Sequence, residues 1–374
     1  MVIRIEEIQS ACSKILAAVD SNSVSALTET LQLSTRGKEL FLNVTNNEYF
    51  AKVKLEMKEP VEFNATVNAN LFLKLISQIT TETIELSVTE TALILKGNGT
   101  YNLPLIFDGD RLMELPEIII NNPTTSFSID SSILQSILQF NSKELSKGII
   151  SRPIQKLYYM DELGAITFTT GACVNSFSLE KPVKVLLNDR LVKLFKLFKD
   201  GPVNFTLGYD TLADGVIQTK VRFESEDISL TAILSCDDTM LQSYPVNAVR
   251  ARANSDYPYS VNISREQLIQ TINRLLLFTS ANGARDIINP YSTFEFKPDR
   301  VVVWDTHHEN FEEVFYTNTR CEVEDAYTTM FDFKDFRTTL ENCSEQYVTL
   351  NFGDEQALVV ARGNVRVVIP ECRV

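Results

Sequence analysis

Histidine is nearly absent from this chain. His307 and His308, side by side in VVVWDTHHEN, are the two among 374 residues. With Asp305 they resemble a ligand set, but side chains alternate along a strand, so neighbours point apart, and no third ligand cluster accompanies them. We read them as a strand end or turn and expect no metal. Cysteine is sparse and scattered: Cys12, Cys173, Cys236, Cys321, Cys343 and Cys372 show no CxxC spacing. That excludes a zinc-finger pattern and a disulfide framework, and suits a reducing cytosol. No apolar run reaches the length of a membrane span, and the opening residues MVIRIEEIQS form no signal-peptide apolar region. The expectation is a cytoplasmic protein with no membrane association. A Gly-rich phosphate loop, GxSxG and HExxH are all missing. Gly97-Asn98-Gly99 reads as a hairpin turn, and no carboxylate pair stands out for acid–base work. Nothing here points to a catalytic residue, a cofactor or an enzyme.

What is present is ordinary globular composition, with 44% hydrophobic and 22% charged residues, and a formal net charge of -14. An acidic sum argues against a nucleic-acid partner only globally, because a local basic surface can still bind phosphate. The order of elements repeats. Amphipathic helices are predicted from Ile5, with Ile5, Ile8, Ala11, Cys12, Ile15, Leu16 and Val19 buried, from Ser131 and from Ser264. Second helices start near Asn68, Asn188 and Asp332. Alternating strands fill the rest, with Asn98-Gly99 a strong hairpin signal. A period of about 130 residues exceeds the solenoid range, so each copy should be a domain. The breaks fall near ELPEIIINNPTT and SYPVNAVRARANSDYP, giving domains 1–122, 123–252 and 253–374. Two helices on antiparallel sheet in each makes the fold class α+β.

The stretch LNDRLVKLFKLFKD, residues 187–200, is the sharpest signal. At helical period Leu187, Leu191, Leu194, Phe195 and Phe198 share one face, while Arg190, Lys193, Lys196 and Lys199 sweep across the other. The plain reading is a solvated face. Related helices carry Lys14, Lys74, Lys143, Lys147, Arg265, Arg274, Lys334 and Arg337, with Arg285 just beyond one of them. Acids on the strands, such as Glu224, Glu226, Asp227, Glu312, Glu313, Glu322 and Glu324, would then carry the negative sum on the other side. Helices facing duplex phosphate with acidic sheet outside reconciles -14 with DNA.

Over essentially its whole length the chain resembles the bacterial DNA polymerase III β sliding clamp family, or a phage-encoded relative. Three stretches carry the resemblance. NATVNANLFLKLISQI…TIELSVTETALILKGNGTYNLPL is similar to a helix–strand–strand unit closing on an FxLP-like step, here Tyr101-Asn102-Leu103-Pro104. RPIQKLYYM…AITFTTGACV is similar to RPxLxGxLL…ATDGHRL, and VRVVIPECRV to the YxxMPxRL ending. The resemblance implies the DNA-clamp fold. It also implies a homodimeric ring lined by helices, and a processivity factor that tethers the replicative DNA polymerase to duplex DNA without base readout. The dimer contact would include Tyr101 and Leu103 on one side and Leu277 and Phe278 on the other. Polymerase and clamp loader would bind by short peptide motifs at Ile154, Gln155, Thr169, Gly171, Val174, Leu241, Tyr244, Val246, Val367, Ile369 and Pro370. Beside the resemblance, Gly171 permits close backbone approach, and the Val365–Pro370 run alternates imperfectly at the chain end. An extended peptide suits such a groove, and Ile369→Asp is expected to abolish its binding while the dimer survives.

The departures from the family pattern cluster here. Ala172 and Cys173 replace its His-Arg pair, Leu241-Gln242-Ser243-Tyr244 its FPDY, and one extra residue separates Pro370 from Arg373. The rim should be more open and less polar. A clamp-fold interaction scaffold that does not encircle DNA is the rival reading, and an enzyme with an unrecognised site a weaker third.

Overall fold

In the computed structural model of the chain, the described residues are 1–19, 26–145, 150–169, 171–234, 237–281, 291–305, 311–316, 327–353 and 357–371. His307, His308, Lys147 and Arg285 lie outside them, as do Cys236, Cys321 and Cys372. The chain forms two compact units, one from residues 1–135 and 190–236, the other from 136–189 and 237–374, so the middle stretch contributes to both. Every strand pairing is antiparallel.

The first unit contains an eight-stranded sheet in the order Asn122–Asp130, Pro202–Thr211, Ile217–Glu224, Ile228–Ile233, Tyr49–Glu56, Glu39–Thr45, Thr30–Arg36, Asn64–Asn68. Sequence-distant strands join where Ile228 meets Val53. A four-stranded sheet runs Val2–Arg4, Thr83–Val88, Ala92–Lys96, Thr100–Pro104, leaving Thr100–Pro104 at its edge. Helix Ile5–Ile15 buries Ile5, Ile8, Ala11, Cys12 and Ile15, as its periodicity requires. Leu16 departs from the expected buried stripe: the chain tightens to a 3₁₀ turn at Leu16–Ala18, rotating that side chain into solvent. Helix Ala69–Gln78 starts at Asn68, whose Oδ1 accepts from the Leu71 amide at 2.9 Å.

The 187–200 stretch folds differently from a single α-helix. Leu187 belongs to the strand Lys184–Asn188, one α-turn follows at Asp189–Lys193, and a 3₁₀ turn at Leu194–Leu197 completes the stretch. Leu191, Leu194, Phe195 and Phe198 are buried as expected, and Val192 and Leu197 join them. Phe195 and Phe198 pack against Phe223, which Phe205 also meets. Three residues per turn puts Lys193 and Lys196 one above the other, so the sweep expected at period 3.6 becomes a row.

The second unit has the same two sheet sizes. Its eight-stranded sheet runs Lys184–Asn188, Leu157–Asp161, Gly164–Phe168, Ala172–Ser176, Val365–Pro370, Ala357–Arg362, Tyr347–Phe352, Tyr259–Ser264. Its four-stranded sheet runs Glu312–Tyr316, Arg300–Asp305, Tyr291–Phe296, Tyr327–Asp332, with Glu312–Tyr316 at an edge. Helices Arg265–Ala281 and Phe333–Glu341 cover a core that includes Phe294, Phe296, Phe331, Phe336, Leu340 and Phe352. Ser131–Ser136 passes through a π-turn, Ile137–Asn141, into Ser142–Leu145. Asn141, at the end of that turn, is fully buried, its Nδ2 3.4 Å from Ala165 O, Thr167 Oγ1 and Cys173 O.

The repeat in element order has a counterpart in hydrogen bonding. Gln9 Nε2 donates to Ile76 O and Ile79 O, each at 2.9 Å, satisfying carbonyls at the end of Ala69–Gln78. Gln135, at the matching place in its own helix, donates to Phe195 O and Phe198 O. Arg265 does the same service after Phe333–Glu341, its Nη1 donating to Cys343 O at 2.8 Å. In each pair of helices, a side chain of the first caps the second.

Candidate nucleic-acid interface and partner groove

Of the cations that sequence places toward DNA, Lys74, Lys193, Lys196 and Lys199 are exposed, as are Lys143 and Arg190. Lys74, Lys196 and Lys199 enter no ion pair among the described residues. Others are engaged. Lys14 pairs with Asp227, Arg190 lies 3.6 Å from Glu48, and Arg337 pairs with Glu341 at 2.8 Å on its own helix. Arg274 forks onto Glu313, with Nε 2.9 Å from Oε2 and Nη2 on Oε1. Arg265 is half-buried in its capping role rather than free for a ligand. The Lys334 side chain is outside the described set. Two acids expected on the far side, Asp227 and Glu313, thus sit against helix cations; a strand residue near a sheet edge or turn reaches the helix layer easily.

The residues expected at the groove all lie in the second unit. The Gly164–Phe168 and Ala172–Ser176 strands form a hairpin in which the Thr169 amide donates to Gly171 O at 2.8 Å. Ala172 then pairs with Val368 and Cys173 with Val367, stitching the middle of the chain to its end. Gly171 is required by that approach: a Cβ there would lie 2.5 Å from Val368 O. Gln155 locks the preceding turn. Its Oε1 accepts from the Ser151 and Arg152 amides, both at 2.8 Å, and its Nε2 donates to Thr169 O at 3.1 Å.

Leu241, Tyr244 and Val246 lie at or beside the expected domain break near SYPVNAVRARANSDYP. The segment forms two short helices, Asp238–Ser243 and Val246–Ala253. The missed signal was Asp237, an N-cap whose carboxylate accepts from the Met240 amide at 2.8 Å. Tyr244 is the key of this segment. Its ring stacks on Tyr159 at 5.4 Å and meets Phe168 edge-on at 5.0 Å. Its hydroxyl is 3.1 Å from Leu157 O and 2.9 Å from Ile166 O, and burial pushes the phenol pKa up. Arg250 anchors the second helix, with Nη1 2.7 Å and Nη2 2.5 Å from the two oxygens of Asp161.

Burial opposes ionisation of Asp161, yet hydrogen bonds from Arg250 and the Leu163 amide hold its carboxyl below the usual carboxylate range. Folding therefore favours the ionised form. The stabilisation is complete above the unfolded-state value, near 4, and is lost as pH falls through the lower folded-state value. Arg250→Met is expected to cost about 3 kcal/mol at neutral pH, since it strands a buried carboxylate. Thermal melts should show that difference between variant and parent shrink in acid below about pH 4.

Thr169, Gly171, Val367, Ile369 and Pro370 line one cavity with Glu144, Thr167, Phe168, Ala172, Cys173, Thr339 and Val368. Its volume is about 20 Å³, room for roughly one water and not for a peptide side chain. Val367 and Ile369 are 2% and 3% exposed and belong to the cluster that holds Phe336 and Leu340. Strand alternation sends these two toward the helices, and Val368 and Pro370 to the opposite face. The expectation that Ile369→Asp reports cleanly on peptide binding is therefore corrected: Ile369 is core. Val174 and Tyr244 are buried as well, which leaves Ile154, Thr169, Gly171, Leu241, Val246 and Pro370 with accessible surface.

At the expected dimer contact, Leu277 and Phe278 are 67% and 41% exposed, and the Phe278 ring lies 5.4 Å from Phe311. Leu103 is 2% exposed, so its side chain is core; Tyr101 and the strand backbone are what that edge presents. Among the described residues no cluster of metal-ligating side chains occurs, and no helix is long and apolar enough to cross a membrane.

No protein-family profile matches the chain. A "Beta sliding clamp" of Helicobacter pylori is 24% identical over 209 residues, which are 52% of this chain and 54% of that protein. The match thus spans about half the length of this curated relative. Solved structures match throughout. The DNA polymerase III β sliding clamp of Pseudomonas aeruginosa, bound to griselimycin, superposes with a TM-score of 0.80 at 13% identity, covering 100% of this chain and 99% of that one. The Helicobacter pylori β clamp bound to a DNA ligase peptide gives 0.73 at 16% identity, with 100% and 99% covered. From end to end, the chain has the DNA-clamp fold of the bacterial DNA polymerase III β sliding clamps, and over about half its length its sequence is similar to that of the Helicobacter pylori clamp.

Proposed function

We propose that two copies of this chain close head to tail into a ring around duplex DNA and tether a replicative DNA polymerase there, in the cytoplasm, without catalysing a reaction. The observation that carries this reading is the full-length correspondence to clamp structures. Two local features support it. Among the described residues Thr100–Pro104 and Glu312–Tyr316 are both sheet edges, whose outer backbone groups invite another chain. Joining one edge of each copy to the other edge of its partner closes the assembly with two equal contacts. Exposed lysines on the helices supply attraction to phosphate without base readout. The three stretches 1–122, 123–252 and 253–374 are assigned as the ring's repeated domains, on the recurring helix-capping bonds. The outer face around Leu241, Val246 and Pro370 is assigned to short peptide motifs of the polymerase and clamp loader.

Topology provides the test. Protein diluted to monomers and then concentrated with nicked circular duplex should stay with the DNA through gel filtration at physiological salt. Cutting the circle should release it. Equal loss from circular and linear DNA would favour the interaction-scaffold reading instead.

A further inference from the structure

We propose that Glu313 and Asp227 are counter-charges that withhold Arg274 and Lys14 from DNA phosphate, so that the chain holds duplex more loosely than its helix cations would allow. The proposal rests on the reading that these helices face DNA. Two fixed carboxylates carry it. Glu313 meets Arg274 through two hydrogen bonds, and its Oε1 also accepts from Thr271 Oγ1 at 3.1 Å. Thr271 is 1% exposed, so Glu313 is held from beneath by the protein and from above by the guanidinium. A bidentate fork of this kind is among the stronger charge pairs, and a phosphate would have to displace it. Asp227 pairs with Lys14 from the turn between Ile217–Glu224 and Ile228–Ile233. Its own backbone carbonyl accepts from the Lys54 amide at 2.8 Å, which fixes the turn beside the helix.

The Arg274 pair differs from the remaining ones by its fork and the Thr271 bond beneath it, and the Lys14 pair, 37% and 36% exposed, by the turn that fixes Asp227. Arg190 and Glu48 are both about half exposed and 3.6 Å apart. Arg337 and Glu341, 37% and 43% exposed, are i,i+4 neighbours on one helix. Such pairs hold little free energy and give way to a stronger anion. A cation locked to a carboxylate releases no counterion when DNA arrives, so it adds nothing to the salt dependence of binding. The lysines without partners, Lys74, Lys196 and Lys199, would then supply most of the attraction.

Fluorescence anisotropy of a short labelled duplex across a salt series tests this with Glu313→Gln, Asp227→Asn and the double variant. Each single variant is expected to bind roughly three- to tenfold tighter at low salt, and to steepen log K against log salt by about one unit per released cation. Asp227 lies in the first unit, so Asp227→Asn leaves the Glu312–Tyr316 edge untouched. Glu85→Gln removes the same charge from the strand pair with Lys96 and should change nothing; equal tightening by it would reduce the effect to net charge and overturn the proposal. Arg274→Glu with Glu313→Arg re-forms the pair and should return affinity to the parent value. Unchanged affinity and slope in both single variants, with the parent retained on circular DNA, sinks the counter-charge proposal alone. Loss of the parent from circular DNA removes the ring reading as well.

Discussion

Leu277→Asp combined with Phe278→Asp should convert a dimer into monomers and end retention on circular DNA. Both side chains are largely exposed in the single chain, so the folded protomer loses little by the change. In the proposed ring each side chain is buried against the edge carrying Tyr101, where a carboxylate would be desolvated without a partner. A lost interface anchor of this type costs about 3 kcal/mol. The ring has two such contacts, so dissociation should become easier by about 6 kcal/mol, roughly four orders of magnitude in Kd. Sedimentation velocity at micromolar concentration reads the oligomeric state, and a thermal melt confirms that the protomer remains folded. A variant that stays dimeric, or a parent that is already monomeric, removes this contact from the ring.

Leu241→Asp should weaken binding of a short peptide motif of the polymerase tenfold or more while leaving the melting temperature close to that of the parent. Leu241 is half-buried on Asp238–Ser243, so a carboxylate there can still reach water. Ile369→Asp should lose the peptide too, for a different reason. At 3% exposure inside the Phe336–Leu340 core, an aspartate costs on the order of 4–5 kcal/mol and disrupts the second unit. Titration calorimetry and thermal melts on the pair separate the groove from its foundations. Parental affinity in Leu241→Asp would move the peptide site off this face.

The repeat was legible because helix and strand leave different apolar periods. Ile5, Ile8, Cys12 and Ile15 can share a buried face only at helical spacing, and the alternation in ELFLNVT only as a half-buried strand. Asn68 as a cap needed no more than its own bond to the Leu71 amide, and the Asn98-Gly99 turn closes locally, the Gly97 amide donating to Gly99 O. The helices of 238–253 were not expected at the domain break, although the Asp237 cap is a local signal for the first of them. Pro245 and scattered arginines resemble a linker, and what makes helices of it is Tyr244 buried against Tyr159 and Phe168 and Arg250 on Asp161. Those partners lie far away in sequence.

By itself, then, the sequence determined the α+β class, the six recurring helices, the placing of lysines opposite an apolar face, and the close approach at Gly171. Each depends on nearest neighbours along the chain or on a single backbone conformation. Only the tertiary structure decided which cations are spoken for and which C-terminal side chains face outward. Asp227 meets Lys14 and Glu313 meets Arg274 because helices pack on remote parts of the sheets, and Val367 meets Cys173 by register between remote strands. A shift of one residue in that register would turn Ile369 from core to rim, and no local pattern records it.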